Sequence, residues 1–257
     1  LAQVANDFAG VTMPDLPGFG GMDSFYKIGE KPDMDTMADY LASLIKLRFK
    51  GRKFSIIAFS YGFTVVTRML QRYPDIVKKV DILVSAVGFA HYEDFVFKKS
   101  RLYAYRVISR FFSGRVSAAF FRAFFLYPPI LRIFYSRTYN AKHKFKNLSP
   151  EEHKILTEFE VHLWRLNDVR TWMKTTSEFF HLNNCHQQVG LPVWHIYVEF
   201  DNYFDNRLVE QHMRVIFTDF KALKAPIKTH FPNVISGKSE AAKLLPVGIK
   251  KLFEEKS

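Results

Sequence analysis

Phe54-Ser55-Ile56-Ile57-Ala58-Phe59-Ser60-Tyr61-Gly62-Phe63-Thr64-Val65-Val66 is the stretch on which the fold turns. Its first six residues are nearly all apolar, as a central parallel strand must be when helices cover both of its faces. Beyond Tyr61 the apolar residues recur as Val65, Val66, Met69 and Leu70, the spacing of a helix face, until Tyr73-Pro74 stops the helix. A strand that passes into a helix through Ser60 needs a sharp turn. Such a turn strains the serine backbone and lifts its hydroxyl above the carboxyl edge of the sheet. Small residues are expected two places before and two places after that serine, where strand and helix backbones approach. Ala58 and Gly62 stand there.

Outward from this turn, the same alternation of strand and helix continues. Val11-Thr12-Met13 is predicted as a short strand, followed by the loop Pro14-Asp15-Leu16-Pro17-Gly18-Phe19-Gly20-Gly21, where Pro and Gly forbid regular structure. Met37, Leu41, Leu44 and Ile45 mark an amphipathic helix over Asp33 to Leu47, and Val80 to Val84 supplies the next strand. The rhythm resumes late in the chain. Leu191 to Val198 reads as a strand, Arg207 to Phe217 as a helix, Phe220 to Ile227 as a weaker strand and Glu240 to Phe253 as a closing helix. This is the pattern of an α/β fold, a doubly wound and mostly parallel sheet. Between residues 91 and 185 only the helical period is present, with a marked start at Ser149-Pro150-Glu151-Glu152, an N-cap serine followed by proline and a capping-box glutamate. The expected organisation is therefore a core of residues 1–90 and 186–257 with a helical cap at 91–185.

A serine hydroxyl alone is a poor nucleophile and needs a histidine base held by a carboxylate. Glu199-Phe200-Asp201 follows the strand ending at Val198, and Thr229-His230-Phe231-Pro232 follows the strand ending near Ile227. Both fall at carboxyl ends of strands, where open α/β sheets gather functional groups. Asp205, four residues past Asp201, is an alternative acid.

On these residues the chain resembles the α/β-hydrolase fold family over nearly its whole length. Asp15-Leu16-Pro17-Gly18-Phe19-Gly20 is similar to the family's Asp-x-Pro-Gly-x-Gly loop, and Ala58 to Gly62 to its nucleophile elbow, with alanine in place of the commoner glycine. Val198-Glu199-Phe200-Asp201 resembles the segment ending in the catalytic acid, and His230-Phe231-Pro232 the histidine loop. The resemblance implies Ser60 as nucleophile, Asp201 as orienting carboxylate and His230 as general base and acid, with the backbone N–H of Tyr61 as one oxyanion donor. It also implies early strands and a His-Gly loop about two dozen residues upstream of Asp15. The sequence begins at Leu1, so the chain reads as a hydrolase lacking its N-terminal strands. The implied reaction is cleavage of an ester or related acyl bond, with C–C hydrolysis, haloperoxidase-like chemistry or a non-catalytic binding role as the alternatives on the same fold.

Composition narrows the partners. The 257 residues are 48% hydrophobic and 24% charged, enough to build a sizeable core and not the make-up of a disordered chain. The single cysteine, Cys185, cannot form an internal disulfide, which points to a reducing, cytoplasmic setting. No metal or organic cofactor is implied: Gly18-x-Gly20-Gly21 lacks a dinucleotide fingerprint, and His181, Cys185 and His186 lack a completing carboxylate. Net charge is +12, and residues 95–150 alone hold twelve Lys or Arg, no Asp or Glu, and fifteen Phe or Tyr. Most of these aromatics are expected to be core, lining a small-molecule, ester- or lipid-like substrate site. The remainder, beside so many cations, fit a peripheral anionic membrane surface, whereas nucleic acid is disfavoured because no nucleic-acid module is present.

Overall fold

A computed structural model of the chain describes residues 6, 10–137, 149–227, 230, 246 and 248. In chain order the main elements are α1 (Met34–Phe49), β1 (Phe54–Phe59), α2 (Tyr61–Arg72), β2 (Val80–Ala86), α3 (Lys99–Phe112), α4 (Arg115–Phe124), α5 (Pro128–Arg137), α6 (Pro150–Leu166), α7 (Val169–Phe179), β3 (Val189–Tyr197), α8 (Asn206–Ile216) and β4 (Phe217–Lys224). They form two compact units. One comprises Leu1–Pro14, Met34–Lys98 and His181–Ser257, the other Asp15–Asp33 and Lys99–Phe180.

The first unit is built on the sheet. Its four described strands are all parallel and lie in the order β1-β2-β3-β4, with Phe59 beside Ala86 and Ser85 beside His195. Every residue of β2 except Asp81 is buried, which is why an apolar run rather than an alternating one forms this strand. Ile82, Val84, Ala86, Ile196 and Val198 make the core of the sheet. Asp81 stands exposed at the start of the strand, near the ammonium of Lys53. Parallel strands in sequential order bring their carboxyl ends to one edge, so the residues after Phe59, Ala86 and Tyr197 are gathered there.

The expected strand at Val11 to Met13 does not form. A three-residue segment becomes a strand only by pairing, and here Val11 is 40% and Met13 79% exposed on irregular backbone. The expected closing helix over 240–253 lies outside the described residues, apart from 246 and 248.

The second unit is helical, built from α3 to α7 around Ala118, Leu126, Leu131, Val161, Val169 and Met173. The capping box at the start of α6 is present: Ser149 accepts from Glu152 N, and the Glu152 carboxylate accepts from Ser149 N at 2.8 Å. This unit also takes in the glycine-rich loop, which the sequence reading placed with the sheet. Asp168 N donates to Gly18 O at 2.7 Å, Ser24 and Thr171 share a buried hydroxyl contact at 2.6 Å, and the Arg170 guanidinium stacks 3.6 Å over the Tyr26 ring. Gly18 has φ 89°, and a Cβ there would land 2.6 Å from the Thr171 side chain, so only glycine lets this loop close onto α7. The compact units divide at 14/15, 33/34, 98/99 and 180/181.

Candidate active site

Ser60 sits between β1 and α2 with φ 44° and ψ −119°, a backbone conformation that costs of order 1–3 kcal/mol for a residue with a Cβ. Its main chain is tied down on both sides: Ser60 N donates to Ala86 O at 3.0 Å, and Phe63 N donates to Ser60 O at 3.0 Å. A serine before a helix normally caps it with its hydroxyl. Ser60 makes no such bond, so its Oγ stays uncommitted to the helix, while the first N–H groups of α2, beginning with Tyr61, open the positive end of the helix dipole.

Steric demand around this turn is not where the sequence reading put it. A Cβ added at Gly62 would meet no described atom within 4 Å, so close backbone approach does not require glycine there. The tight glycine is Gly88, whose added Cβ would lie 2.7 Å from the Phe63 ring. Val87, the residue before it, has φ 47°, a strained conformation for a β-branched side chain, and its N donates to Ile196 O at 2.9 Å. Two strained residues thus follow neighbouring strands, at Ser60 and Val87. The apolar sequence around Val87 gives no sign of this, because the strain arises from pairing with β3.

Asp201 follows β3 and is fixed by its own loop: Oδ1 accepts from Tyr203 N at 2.8 Å and Phe204 N at 3.2 Å. Its other oxygen, Oδ2, lies 2.9 Å from His230 Nδ1. The Asp201 side chain is only 3% exposed and that of His230 19%. A carboxylate on Nδ1 holds the imidazole tautomer that leaves Nε2 as the basic nitrogen. The rings of Tyr203 and Phe204 lie 5.0 and 5.8 Å from the His230 ring and put apolar surface beside it.

Asp205 is engaged elsewhere. Its carboxylate caps α8, accepting from Arg207 N at 2.9 Å and Leu208 N at 3.3 Å. Of the two candidate acids, Asp201 is therefore the one that His230 contacts.

Two further polar clusters were not evident from the sequence. His195 on β3 is buried, with Nδ1 2.9 Å from Ser85 Oγ on β2, and burial pushes its pKa down to about 4, against a smaller opposing pull from the Asp201 charge. Asp94 is fully buried; Oδ2 accepts from Ala90 N and His91 N, and Oδ1 pairs with His212 Nδ1 at 2.5 Å, joining the loop after β2 to α8. His91, Glu93 and His212 are the one group among the described residues whose donor atoms come close enough for a cation. The donor set fits poorly. His91 Nδ1 already accepts the Glu93 N–H at 3.2 Å, which leaves the proton of the neutral ring on Nε2. The trio His181, Cys185 and His186 does not assemble: Arg68 contacts His186 at 2.9 Å, and burial followed by the Asp94 and Glu93 charges pushes the Cys185 thiol up to about 11.

No family model matches the chain, and no curated protein matches it. Solved structures do. An esterase from Thermogutta terrifontis is 16% identical with a TM-score of 0.54, covering 94% of this chain and 76% of its own. A bromoperoxidase from Bacillus anthracis is 13% identical with a TM-score of 0.58, covering 94% and 80%. The α/β hydrolase MGS-M2 from a Medee basin deep-sea metagenome library is 13% identical with a TM-score of 0.53, covering 84% and 70%. The chain has the α/β-hydrolase fold.

Proposed function

We propose that this chain is a serine hydrolase that cleaves an ester or related acyl bond through Ser60, His230 and Asp201. The observation that carries the reading is the Asp201–His230 hydrogen bond, made at the same strand-end edge that presents Ser60 in a strained turn. In this mechanism His230 Nε2 takes the hydroxyl proton as Ser60 Oγ attacks the acyl carbon. The charge that develops on the acyl oxygen is met by the Tyr61 N–H at the start of α2. His230 then gives its proton to the leaving alkoxide, and water, deprotonated by the same nitrogen, releases the acyl group. Asp201 stays ionised throughout and stabilises the imidazolium. The rings beside His230 favour an uncharged, apolar acyl group.

Fluorophosphonate labelling tests this, because only an activated serine reacts quickly. The wild-type chain is expected to label at Ser60. Ser60→Ala is expected to lose both labelling and p-nitrophenyl ester turnover while its circular dichroism stays unchanged; turnover above a few per cent of wild type would remove Ser60 from the role. The likeness to a bromoperoxidase supports a second reading on the same residues, cofactor-free haloperoxidase-like chemistry, which a substrate screen including C–C hydrolase substrates separates from esterase action. A non-catalytic binding protein would not label at all.

A further inference from the structure

Three helices of the second unit, α3, α4 and α5, leave apolar side chains in water beside the faces that they bury. On α4 the buried side is Ala118 with the part-buried Phe121, yet Val116, Phe120 and Phe124, an i, i+4, i+8 ridge, are 83%, 49% and 56% exposed. The same spacing recurs on α3 in Tyr103, Val107 and Phe111, and α5 exposes Ile130, Ile133 and Phe134. Ring contacts make part of this surface continuous: Phe111 touches Phe112 at 5.0 Å, Phe112 touches Phe125 at 6.2 Å, and Phe120 touches Phe124 at 4.4 Å and Phe125 at 6.4 Å between centroids. Scattered apolar side chains are ordinary on a protein surface; a connected aromatic array on successive helices is a binding face.

Charge says what it binds. No acidic residue occurs between positions 95 and 150, and among the described residues of α3 and α4 the exposed Lys99, Arg110 and Arg115 make no ion pair. A protein partner of ordinary composition gives no reason for the exposed Lys99, Arg110 and Arg115 beside exposed phenylalanines, whereas the acyl–headgroup boundary of an anionic bilayer takes both. Among the described residues no single helix is long and apolar enough to cross a membrane. α4 and α5, ten residues each, reach about 15 Å apiece against a hydrocarbon core of about 30 Å, and they meet at 66° across Phe125 to Tyr127.

We propose that the exposed apolar ridges of α3, α4 and α5, flanked by Lys99, Arg110 and Arg115, dock the protein reversibly on an anionic lipid surface, lying in the interface rather than spanning it. The idea does not depend on the hydrolase reading, since no catalytic residue belongs to this unit.

The test is co-sedimentation of the full chain with phosphatidylcholine vesicles with and without about 30% phosphatidylserine. Strong binding is expected only with phosphatidylserine and is expected to vanish at 1 M salt, where the Debye length is about 3 Å. Each basic side chain at the surface contributes about fivefold to partitioning, so Arg110→Gln with Arg115→Gln should weaken binding about 25-fold. Phe120→Ser with Phe124→Ser should also lose binding, with the helix content unchanged because both rings are already exposed. Ser60→Ala should bind like wild type, which keeps this result separate from that of the labelling experiment. Equal sedimentation with both vesicle types, or binding untouched by the Phe pair, overturns the proposal. So does a stable dimer that the Phe pair dissociates in the absence of vesicle binding, or retention on duplex DNA with none on vesicles.

Discussion

The sheet unit and the helical unit solve the same packing problem differently. The largest side chains that are essentially fully buried, Phe63, Phe89, Met37, Met69, Leu70, Ile76, Leu83, Ile196, Met213, Ile216 and Val65, all belong to the sheet unit. Sixteen of the 23 exposed large apolar side chains among the described residues belong to the smaller helical unit. A parallel sheet covered by helices buries both of its faces, whereas a few short helices packed on one small cluster can each hide only a stripe. The proposed triad Ser60, Asp201 and His230 belongs to the unit that holds these fully buried side chains, and the proposed docking face to the unit that leaves its apolar ridges in water.

If precise placement is what the sheet unit supplies, the two neighbouring aspartates should separate cleanly. Asp201→Asn keeps the shape but denies His230 its ionised partner, and the expected loss in kcat is about 10⁴-fold. Asp205→Asn removes only a cap charge, so kcat should stay within a few-fold of wild type and unfolding free energy should fall by no more than about 1 kcal/mol. Steady-state ester hydrolysis with urea unfolding on both variants decides it. Equal losses in kcat would mean that the two carboxylates share the role.

The packing contrast itself can be broken by a pair of truncations. Leu70, 1% exposed on α2, should cost about 2–5 kcal/mol on replacement by alanine, while Phe124, 56% exposed on α4, should change stability by no more than about 0.5 kcal/mol. Differential scanning calorimetry on each variant makes the comparison. A large loss at Phe124 would show that its ring is covered and that the helical unit has a fuller core than its exposed faces indicate.

Much of the fold around Ser60 was legible in the sequence, and the exceptions share a cause. The bounds of β1, the single-residue turn at Ser60 and the Ser149 capping box depend on residues close in the chain, so periodicity and cap chemistry suffice to read them. Asp94 and His212 are 118 residues apart, and nothing local distinguishes a buried carboxylate hub from a surface Glu-Asp pair. The glycine loop at Asp15 to Gly20 shows the same limit. Its glycines announce a turn, but the reason for Gly18 is Thr171, far along the chain on α7. Asp201 is favoured over Asp205 in the sequence by its motif and its place nearer the strand end; the cap that Asp205 makes at the start of α8 depends on the fold and is a separate reason. Gly62 was read as sterically required from a pattern, and the open space beside it removes that reason.

Acid sensitivity should sharpen the comparison by a smaller margin, through His195. Burial between β2 and β4 holds its pKa near 4 in the folded state, against about 6.5 when unfolded, so the native ring stays neutral where the unfolded one gains a proton. The sign follows from proton counting: between pH 6.5 and 4 the unfolded state binds more protons, so stability falls as pH drops through that window and levels off below it. At 1.36 kcal/mol per unit the full term is about 3 kcal/mol. His91, also lowered by burial and by the neighbouring His212, adds to the same limb. Asp201 acts the other way, since its negative charge favours a protonated His195. Urea midpoints measured from pH 7 to pH 4 should therefore decline steeply for wild type and less so for His195→Gln, which can keep a hydrogen bond to Ser85 without titrating. Asp201→Asn should lower the pKa of His195 further and carry the limb to lower pH. Parallel slopes for wild type and His195→Gln would show that His195 does not carry the acid sensitivity of the sheet unit.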